Sequence, residues 1–227
     1  MTKTVRWRNF DIPIFPLDMA DQDTAGRNEF FRRATCAVKY NGISGDYAEF
    51  GCASATTFRL AHSHITAQQM KIKLWAFDSF EGLPEAEDER DRHPQWYQGA
   101  YPNPTDLFEL IVEDHGIHKH EYTMIPGFYQ NTIGPNSIGS ENFARDIAIA
   151  YVDCDLYSST RDVLFFLKSR LKPGVIIGFD DYFCYSPNGT SGERRAMLDF
   201  LNENPQWKFV PFYQISWHGQ SFIVENR

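Results

Sequence analysis

The chain has 227 residues, 42% of them hydrophobic and 23% charged, which excludes global disorder and predicts one large globular domain. Its formal net charge of −8 argues against nucleic acid or an anionic membrane as a partner. No run of about 18 apolar residues predicts a membrane-spanning helix, and the N-terminus lacks the apolar core of a signal peptide. The four cysteines show no CxxC spacing, so we expect a reduced, cytoplasmic protein.

The first forty residues are expected to form an N-terminal region of their own, preceding a domain over residues 41–227. Residues 1–24 are predicted to be an irregular arm. Apolar residues then recur at helical spacing over Ala25–Tyr40, which predicts a helix. The dipeptide Asn41-Gly42 is a stop signal for that helix.

From residue 41 onwards, short apolar runs alternate with helical patterns. The predicted strands are Tyr47–Phe50, Leu74–Phe77, Tyr122–Ile125, Ile147–Val152 and Val175–Phe179. The predicted helices are Thr57–Met70, Pro104–His115, Ser159–Leu171 and Gly192–Asn204. This alternation predicts an α/β fold with a doubly wound, mostly parallel sheet. Two further runs predict a C-terminal antiparallel hairpin, Lys208–Tyr213 and Ser221–Val224.

Two local features qualify this pattern. Ser159, followed by Asp162 three residues later, is a start signal for the helix after the fourth strand. Residues 85–103 form the longest stretch without periodicity, with a charged first half and the aromatic residues Trp96, Tyr97 and Tyr101 in the second. Long loops in compact domains are often lids, so this segment is either a lid over a site or a surface loop.

In an open α/β sheet a ligand binds at the carboxyl ends of the strands. The first strand ends at Gly51 and is followed by small residues, which allow a ligand to approach the backbone, but the segment is neither GxGxxG nor a P-loop. The second strand ends at Asp78. A carboxylate there can accept hydrogen bonds from both ribose hydroxyls of a nucleoside, or it can cap a turn.

Carboxylates also follow the fourth and fifth strands. Asp153 and Asp155 end the fourth strand, and Asp180 and Asp181 end the fifth, 27 residues after Asp153. A right-handed crossover of that length places the two strands close together. Three clustered carboxylates ionise together readily only around a cation, and oxygen ligands favour Mg²⁺, Ca²⁺ or Mn²⁺. We therefore expect Asp153, Asp180 and Asp181 to hold a metal, with Asp155 as a cap or a supporting residue.

The segments Tyr47–Gly51, Phe77–Pro84, Val152–Thr160 and Phe179–Tyr182, in this order and with this spacing, resemble the macrocin O-methyltransferase family. The resemblance runs from about Tyr40 to the C-terminus. These are S-adenosylmethionine-dependent enzymes that methylate sugar hydroxyls in antibiotic biosynthesis. The resemblance implies a class I methyltransferase fold, a divalent metal such as Mg²⁺, a small-molecule sugar or diol as substrate, and a homo-oligomer.

The resemblance also implies roles for individual residues. Asp153, Asp180 and Asp181 would be metal ligands, and Asp153 would also be the general base. The cofactor would be bound by Glu49, Gly51, Ala53, Ser54, Asp78, Ser79, Phe80, Gly127 and Phe128. Two positions depart from the family pattern: Ala55 stands where a second glycine is usual, and Asn131 where an acidic residue is common.

The residues leave other functions open. A catechol or phenolic acceptor would use the same carboxylates as a sugar diol. The Asp153-Cys154-Asp155 sequence is also a DxD motif, typical of metal-dependent glycosyltransferases that bind nucleotide sugars, although Asp78 would then have no role. A non-catalytic scaffold that kept the cofactor-binding fold is the third alternative.

Overall fold

The computed structural model describes residues 3–86 and 88–227. The strands in these residues are β1 (Thr4–Trp7), β2 (Phe10–Pro13), β3 (Asp46–Phe50), β4 (Leu74–Asp78), β5 (Tyr122–Pro126), β6 (Ile147–Val152), β7 (Ile176–Phe179), β8 (Trp207–Ile215) and β9 (Gly219–Asn226). The helices are α1 (Gln22–Tyr40), α2 (Thr56–Ala67), α3 (Thr105–Asp114), α4 (Tyr129–Thr132), α5 (Tyr157–Leu167) and α6 (Gly192–Glu203). None of these helices is both long and apolar enough to cross a bilayer.

The main sheet has seven strands in the order β5-β4-β3-β6-β7-β9-β8. Strands β3 to β7 pair in parallel, and β9 pairs antiparallel with both β7 and β8. The predicted parallel sheet and C-terminal hairpin are therefore confirmed. From β3 the chain adds β4 and β5 on one side, and it then returns to add β6 on the other side of β3. Open α/β sheets bind ligands at such a switch point.

Helices cover both faces of this sheet because its central strands are apolar on both sides. Alternate residues of β3 belong to different cores: Tyr47 packs with residues of α1, α2 and α3, whereas Ala48 and Phe50 pack with residues of α5 and α6. All six residues of β6 are buried. A fully apolar strand in the centre of a parallel sheet needs helices on both faces to exclude water.

The N-terminal arm is more regular than the sequence predicts. Residues 1–2 lie outside the described residues, and for the rest of residues 1–24 the expectation of an irregular segment is wrong, because two strands and the start of α1 lie there. Strands β1 and β2 form an antiparallel hairpin, whose tight turn contains Arg8 in the left-handed region at φ 53°. Two ion pairs connect this hairpin to α3, Lys3–Asp114 at 2.7 Å and Arg8–Asp106 at 3.7 Å. Strands of four residues give little periodicity, and their stability depends on this docking rather than on local sequence.

Helix α5 also begins earlier than its start signal predicts. It starts at Tyr157, and the carboxylate of Asp91 accepts a hydrogen bond at 2.8 Å from the backbone N–H of Ser158 in its first turn. The prediction of a start at Ser159 is wrong because the capping group comes from the 85–103 loop, 67 residues earlier in the chain. This bond, together with the burial of Asp91, fixes the middle of that loop against the sheet domain.

Candidate functional site

A cavity of about 890 Å³ lies at the carboxyl ends of β3, β4, β6 and β7. Gly51 ends β3 beside the end of β6, with φ at +91°. A Cβ atom on Gly51 would overlap the carbonyl oxygen of Asp153, so only glycine fits there. This close approach brings the loop after β3 and the acidic turn after β6 into one site.

The structure places most of the predicted cofactor-binding residues on the cavity wall. Those that line it are Gly51, Ala53, Ser54, Asp78, Ser79 and Phe128. The other three do not line it. Glu49 and Phe80 are buried, and Gly127 is half-buried. Their contact with a cofactor stays a prediction.

Asp78 organises the loop around Gly51. One oxygen of its carboxylate accepts hydrogen bonds from the backbone N–H groups of Cys52 at 2.6 Å and Ala53 at 3.1 Å. The other oxygen accepts from the N–H of Phe80 at 2.6 Å. Burial raises the pKa of Asp78, and these three donors oppose that rise by stabilising the charged form. Asp78 therefore acts as a turn cap, and its position on the wall leaves the predicted ribose contact available.

The two departures from the family pattern do not intrude into the cavity. Ala55 adopts a left-handed conformation, with φ at 58°, which costs an alanine roughly 1–2 kcal/mol. Its methyl group is fully buried in the core with α2 and does not line the cavity. Asn131 is exposed at the surface. Neither side chain obstructs a ligand.

The carboxylates predicted to cluster all line the cavity. Val152 and Phe179 are register partners in β6 and β7, and the N–H of Asp180 donates to the carbonyl of Val152 at 2.8 Å. Asp153, Asp155, Asp180 and Asp181 all line the wall. Because β6 and β7 are adjacent and in register, their two acidic ends lie side by side.

Three of these carboxyl groups hold their protons more tightly than usual. Burial is the main cause, and repulsion between neighbouring carboxylates adds to it. The pKa of Asp153 is raised well above its ordinary value, with Asp180 and Asp181 contributing. The pKa of Asp155 is raised to about 8, with Asp153 contributing. The pKa of Asp181 is also raised well above its ordinary value, with Asp155 and Asp180 contributing.

Asp180 differs because Arg27 of α1 pairs with it. The guanidinium Nε of Arg27 donates to Oδ1 of Asp180 at 2.9 Å, Nη2 donates to Oδ2, and the Tyr151 hydroxyl donates to Oδ1. Burial would raise the pKa of Asp180, but Arg27 holds it below the ordinary value. The side chain of Asp180 is only 3% exposed. No local sequence signal predicts this pair, whose members are 153 residues apart.

His218, in the turn between β8 and β9, is a second residue that the sequence did not single out. Its Nδ1 donates to the carbonyl of Asp180 at 2.6 Å, whereas its buried Nε2 has no hydrogen-bond partner. One ring nitrogen of His218 and the carboxylates of Asp180 and Asp181 lie within 4.8 Å of one another. The hydrogen bond from His218 thus stabilises the turn at Asp180.

Glu193, in the first turn of α6, joins the two acidic turns. One oxygen of its carboxylate accepts from the N–H of Cys154 at 3.2 Å, and the other accepts from the N–H of Asp181 at 2.9 Å. Glu193 is fully buried. It therefore sets the spacing between the turn of Asp153 and the turn of Asp181. Only the tertiary structure identifies it, because the sequence shows a single acidic residue at a helix start.

The donor set suits a hard divalent cation. Asp153, Asp155 and Asp181 line one cavity, where the mutual repulsion of their carboxylates would be relieved by a cation. Within the described part of the chain, no basic side chain donates a hydrogen bond to Asp153 or Asp181. Asp180 is also present, although its oxygens already accept from Arg27. The residue types fit a hard cation, but among the described residues the group whose ligand atoms lie within 4.8 Å of one another is Asp180, Asp181 and His218, without Asp153. The ligand role of Asp153 stays a prediction.

Glu49 is buried in β3 and does not line the cavity, and its pKa departs from the ordinary value of a glutamate. Its carboxyl oxygens accept hydrogen bonds from the Tyr47 hydroxyl and, at 2.8 Å, from the Thr57 hydroxyl. Burial nevertheless raises its pKa to about 8. The folded protein therefore retains this proton in a range where the unfolded chain, with an ordinary value of 4.5, has lost it.

This shift predicts a pH dependence of stability. The contribution of Glu49 is fully present below about pH 4.5 and is lost as pH rises to about 8, a change on the order of a few kcal/mol. We expect Glu49→Gln to remove this dependence. The measurement is the free energy of unfolding in urea for both proteins at intervals from pH 4.5 to 8.5. Parallel pH profiles for the two proteins would contradict the prediction.

Comparisons with known proteins agree with the geometry. The sequence model of the macrocin-O-methyltransferase (TylF) family matches residues 1–219. An 8-demethyl-8-(2,3-dimethoxy-α-L-rhamnosyl)-tetracenomycin-C 4'-O-methyltransferase from Streptomyces olivaceus is 28% identical over 151 residues, 64% of this chain and 56% of that protein. A mycinamicin III 3''-O-methyltransferase from Micromonospora griseorubida is 28% identical over 152 residues, 63% of this chain and 57% of that protein. The chain thus aligns with little more than half the length of these relatives.

Among solved structures, the O-methyltransferase NovP superposes with a TM-score of 0.76. The superposition covers 96% of this chain and 85% of that chain, at 20% sequence identity. At this identity the likeness shows the fold, which is the α/β class that the sequence predicts.

Proposed function

The chain belongs to the macrocin-O-methyltransferase (TylF) family, and from this membership we propose that it transfers a methyl group from S-adenosylmethionine to a hydroxyl of a sugar or a glycosylated natural product. The observation that carries the proposal is the meeting of the Gly51 loop and the acidic turns in one cavity. A donor held at that loop and an acceptor held at those turns are neighbours. We also expect a homo-oligomer.

The donor would be held by the loop after β3 and by the end of β4. Gly51, Ala53 and Ser54 allow close approach, and Asp78 is placed for the ribose hydroxyls. The reaction breaks the bond between the sulfonium sulfur and the methyl carbon and forms a bond from that carbon to the acceptor oxygen. Holding the three atoms in line contributes the proximity term of catalysis.

The acceptor hydroxyl must lose its proton, and Asp153 is the candidate base. It follows β6 directly and lines the cavity between the Gly51 loop and the turn of Asp181, where an acceptor hydroxyl would lie within its reach. Asp153, Asp180 and Asp181 would hold a divalent cation, with Asp155 beside them on the cavity wall. When bound, the cation would lower the pKa of a sugar hydroxyl.

The test of this function is S-adenosylhomocysteine binding by titration calorimetry, with Mg²⁺ and with a chelator. We expect micromolar binding, followed by metal-dependent methylation when diols are screened. Absence of binding in both conditions would refute the methyltransferase proposal. Binding without methylation of any sugar or catechol diol would favour the scaffold alternative. The family membership gives the DxD glycosyltransferase alternative no support.

Glu193 provides a test of the acidic site that is independent of turnover. In Glu193→Gln only one amide oxygen can accept, so one of the hydrogen bonds to Cys154 and Asp181 is lost. We expect the affinity for Mn²⁺ to fall by about 10–100-fold, as it does when residues that support metal ligands are removed. Electron paramagnetic resonance of free Mn²⁺ measures this directly.

The matched control for that variant is Met197→Leu, a buried substitution in the same helix. It is expected to leave Mn²⁺ affinity unchanged, because Met197 packs in the apolar core. S-adenosylhomocysteine affinity should be the same in both variants, since Glu193 does not line the cavity. Unchanged Mn²⁺ affinity in a folded Glu193→Gln protein would contradict the role of Glu193.

A further inference from the structure

We propose that the guanidinium of Arg27 competes with the divalent cation for the carboxylate of Asp180, so that α1 lowers the affinity of the acidic site for metal. The inference rests on the proposed function and adds a residue that determines how tightly the metal of that site is held. It follows from the hydrogen bonds of Asp180, from the charge of Arg27 and from the position of Arg27 on the cavity wall.

Arg27 engages both oxygens through which Asp180 would bind a metal. A carboxylate offers about four lone pairs on its two oxygens. Oδ1 of Asp180 accepts from Nε of Arg27 at 2.9 Å and from the Tyr151 hydroxyl, and Oδ2 accepts from Nη2 of Arg27. A cation that takes both oxygens of Asp180 has to displace the guanidinium, and a cation that takes one oxygen lies beside its positive charge.

The charge of Arg27 also acts on a second predicted ligand. Burial and the neighbouring carboxylates raise the pKa of Asp153, and Arg27 opposes that rise. A divalent cation held by Asp153 and Asp181 would therefore be repelled by the same guanidinium. Solvent ions screen this repulsion weakly, because the carboxyl group of Asp180 that holds the guanidinium is only 3% exposed.

The guanidinium is the partner that can move. Arg27 is 24% exposed and lines the cavity, whereas the N–H of Asp180 is hydrogen-bonded to β6 and its side chain is buried. Asp21, the exposed N-cap residue of α1, lines the same cavity. Hydrogen bonds from Thr24 are the main cause of the lowered pKa of Asp21, and the charge of Arg27 contributes to it. A guanidinium displaced from Asp180 thus has a second carboxylate within electrostatic reach.

The experiment measures the Mn²⁺ affinity of the full chain by electron paramagnetic resonance of free Mn²⁺, for the wild type and for Arg27→Gln. We expect the variant to bind Mn²⁺ at least about fivefold more tightly, because a competing and repelling charge is removed. Arg32→Gln is the matched control in α1. Arg32 pairs with Glu29 at the surface, so the control should stay within about twofold of the wild type. A smaller rise, an unchanged affinity or a fall in Arg27→Gln would overturn the proposal.

The same pair of measurements without Asp180 tests whether the carboxylate is what the two cations share. In the Asp180→Asn background, the gain from Arg27→Gln should be at least about threefold smaller than in the presence of Asp180. The reason is that asparagine removes the charged ligand for which the cations compete. A gain of the same size in both backgrounds would show a general effect of charge and would overturn the competition.

Arginine modification tests the exchange in the wild-type protein, without any variant that has to fold. Phenylglyoxal modifies accessible guanidinium groups, and mass spectrometry identifies the modified peptide. Saturating Mn²⁺ should raise the modification rate of Arg27 by at least about threefold, because the metal shifts the population towards the displaced guanidinium. Arg32 is the internal control, and its rate should not change. A smaller rise or none at Arg27 would overturn the proposal.

S-adenosylhomocysteine binding separates this inference from the proposed function. Absence of that binding in the wild type refutes the methyltransferase proposal, whatever the metal does. Absence of Mn²⁺ binding in both the wild type and a folded Arg27→Gln protein overturns the inference about Arg27, whereas S-adenosylhomocysteine binding can then persist.

Discussion

Replacement of Asp153 by asparagine is expected to lower turnover by about 10²–10⁴-fold, the range that a positioned general base contributes. Asparagine is nearly the same size as aspartate but cannot take up the acceptor proton. The affinity for S-adenosylhomocysteine should change by less than about threefold, because the donor loop is organised by Asp78, which Asp153 does not contact through a hydrogen bond. Turnover should therefore fall without loss of donor binding.

The measurement is methyl transfer to a diol acceptor under saturating donor, alongside calorimetry with S-adenosylhomocysteine. The control is Asp199→Asn, which removes a carboxylate from α6 that pairs with Arg195 and Arg90 away from the cavity. The control should keep its turnover within about twofold, because surface ion pairs contribute little. Wild-type turnover in Asp153→Asn would exclude Asp153 as the base.

The second large effect is expected on stability. Arg27→Met leaves Asp180 buried without its cationic partner, and breaking a buried pair in this way costs about 3–5 kcal/mol. The side chain of Asp180 is only 3% exposed in the folded protein, so its carboxylate depends on protein partners. Urea unfolding at pH 7 measures the loss. Arg32→Met is the control in the same helix, because Arg32 pairs with Glu29 at the surface and is 52% exposed.

The origin of that loss can be tested by a double-mutant cycle and by pH. Arg27→Met combined with Asp180→Asn should cost less than the sum of the single changes, since no uncompensated charge remains. The pKa of Asp180 lies below its ordinary value of 3.8. The stabilisation by the pair is therefore present above that value and is lost as pH falls through the lowered pKa. Additive single effects at pH 7 would show that the pair is not the cause.

The sequence predicts the main sheet because its signals are local. The residues of β6 are apolar on both faces, a pattern typical of a buried parallel strand. Asp153 and Asp180 stand at the ends of such strands, and the crossover rule places those ends together. The acidic site and the Gly51 loop could therefore be predicted before the structure was known, and the structure places them in one cavity.

Partners that are distant in the chain could not be predicted in this way. Arg27 meets Asp180 across 153 residues, Glu193 meets Cys154 across 39, and Asp91 caps α5 across 67. In the sequence each of these is an ordinary charged residue of a helix or a loop. The residue that each of them contacts depends on the tertiary fold, so the local sequence does not predict the contact.

The sequence by itself determined the seven strands of the main sheet, the family resemblance and the acidic ends of β6 and β7, because side-chain periodicity and strand-end position are properties of neighbouring residues. The tertiary structure alone decided which carboxylate is ion-paired and which residue spaces the two acidic turns. Those properties depend on burial and on distances between atoms from separate segments. Burial changes the free energy of an ionised side chain by several kcal/mol, and the local sequence does not reveal which side chains are buried.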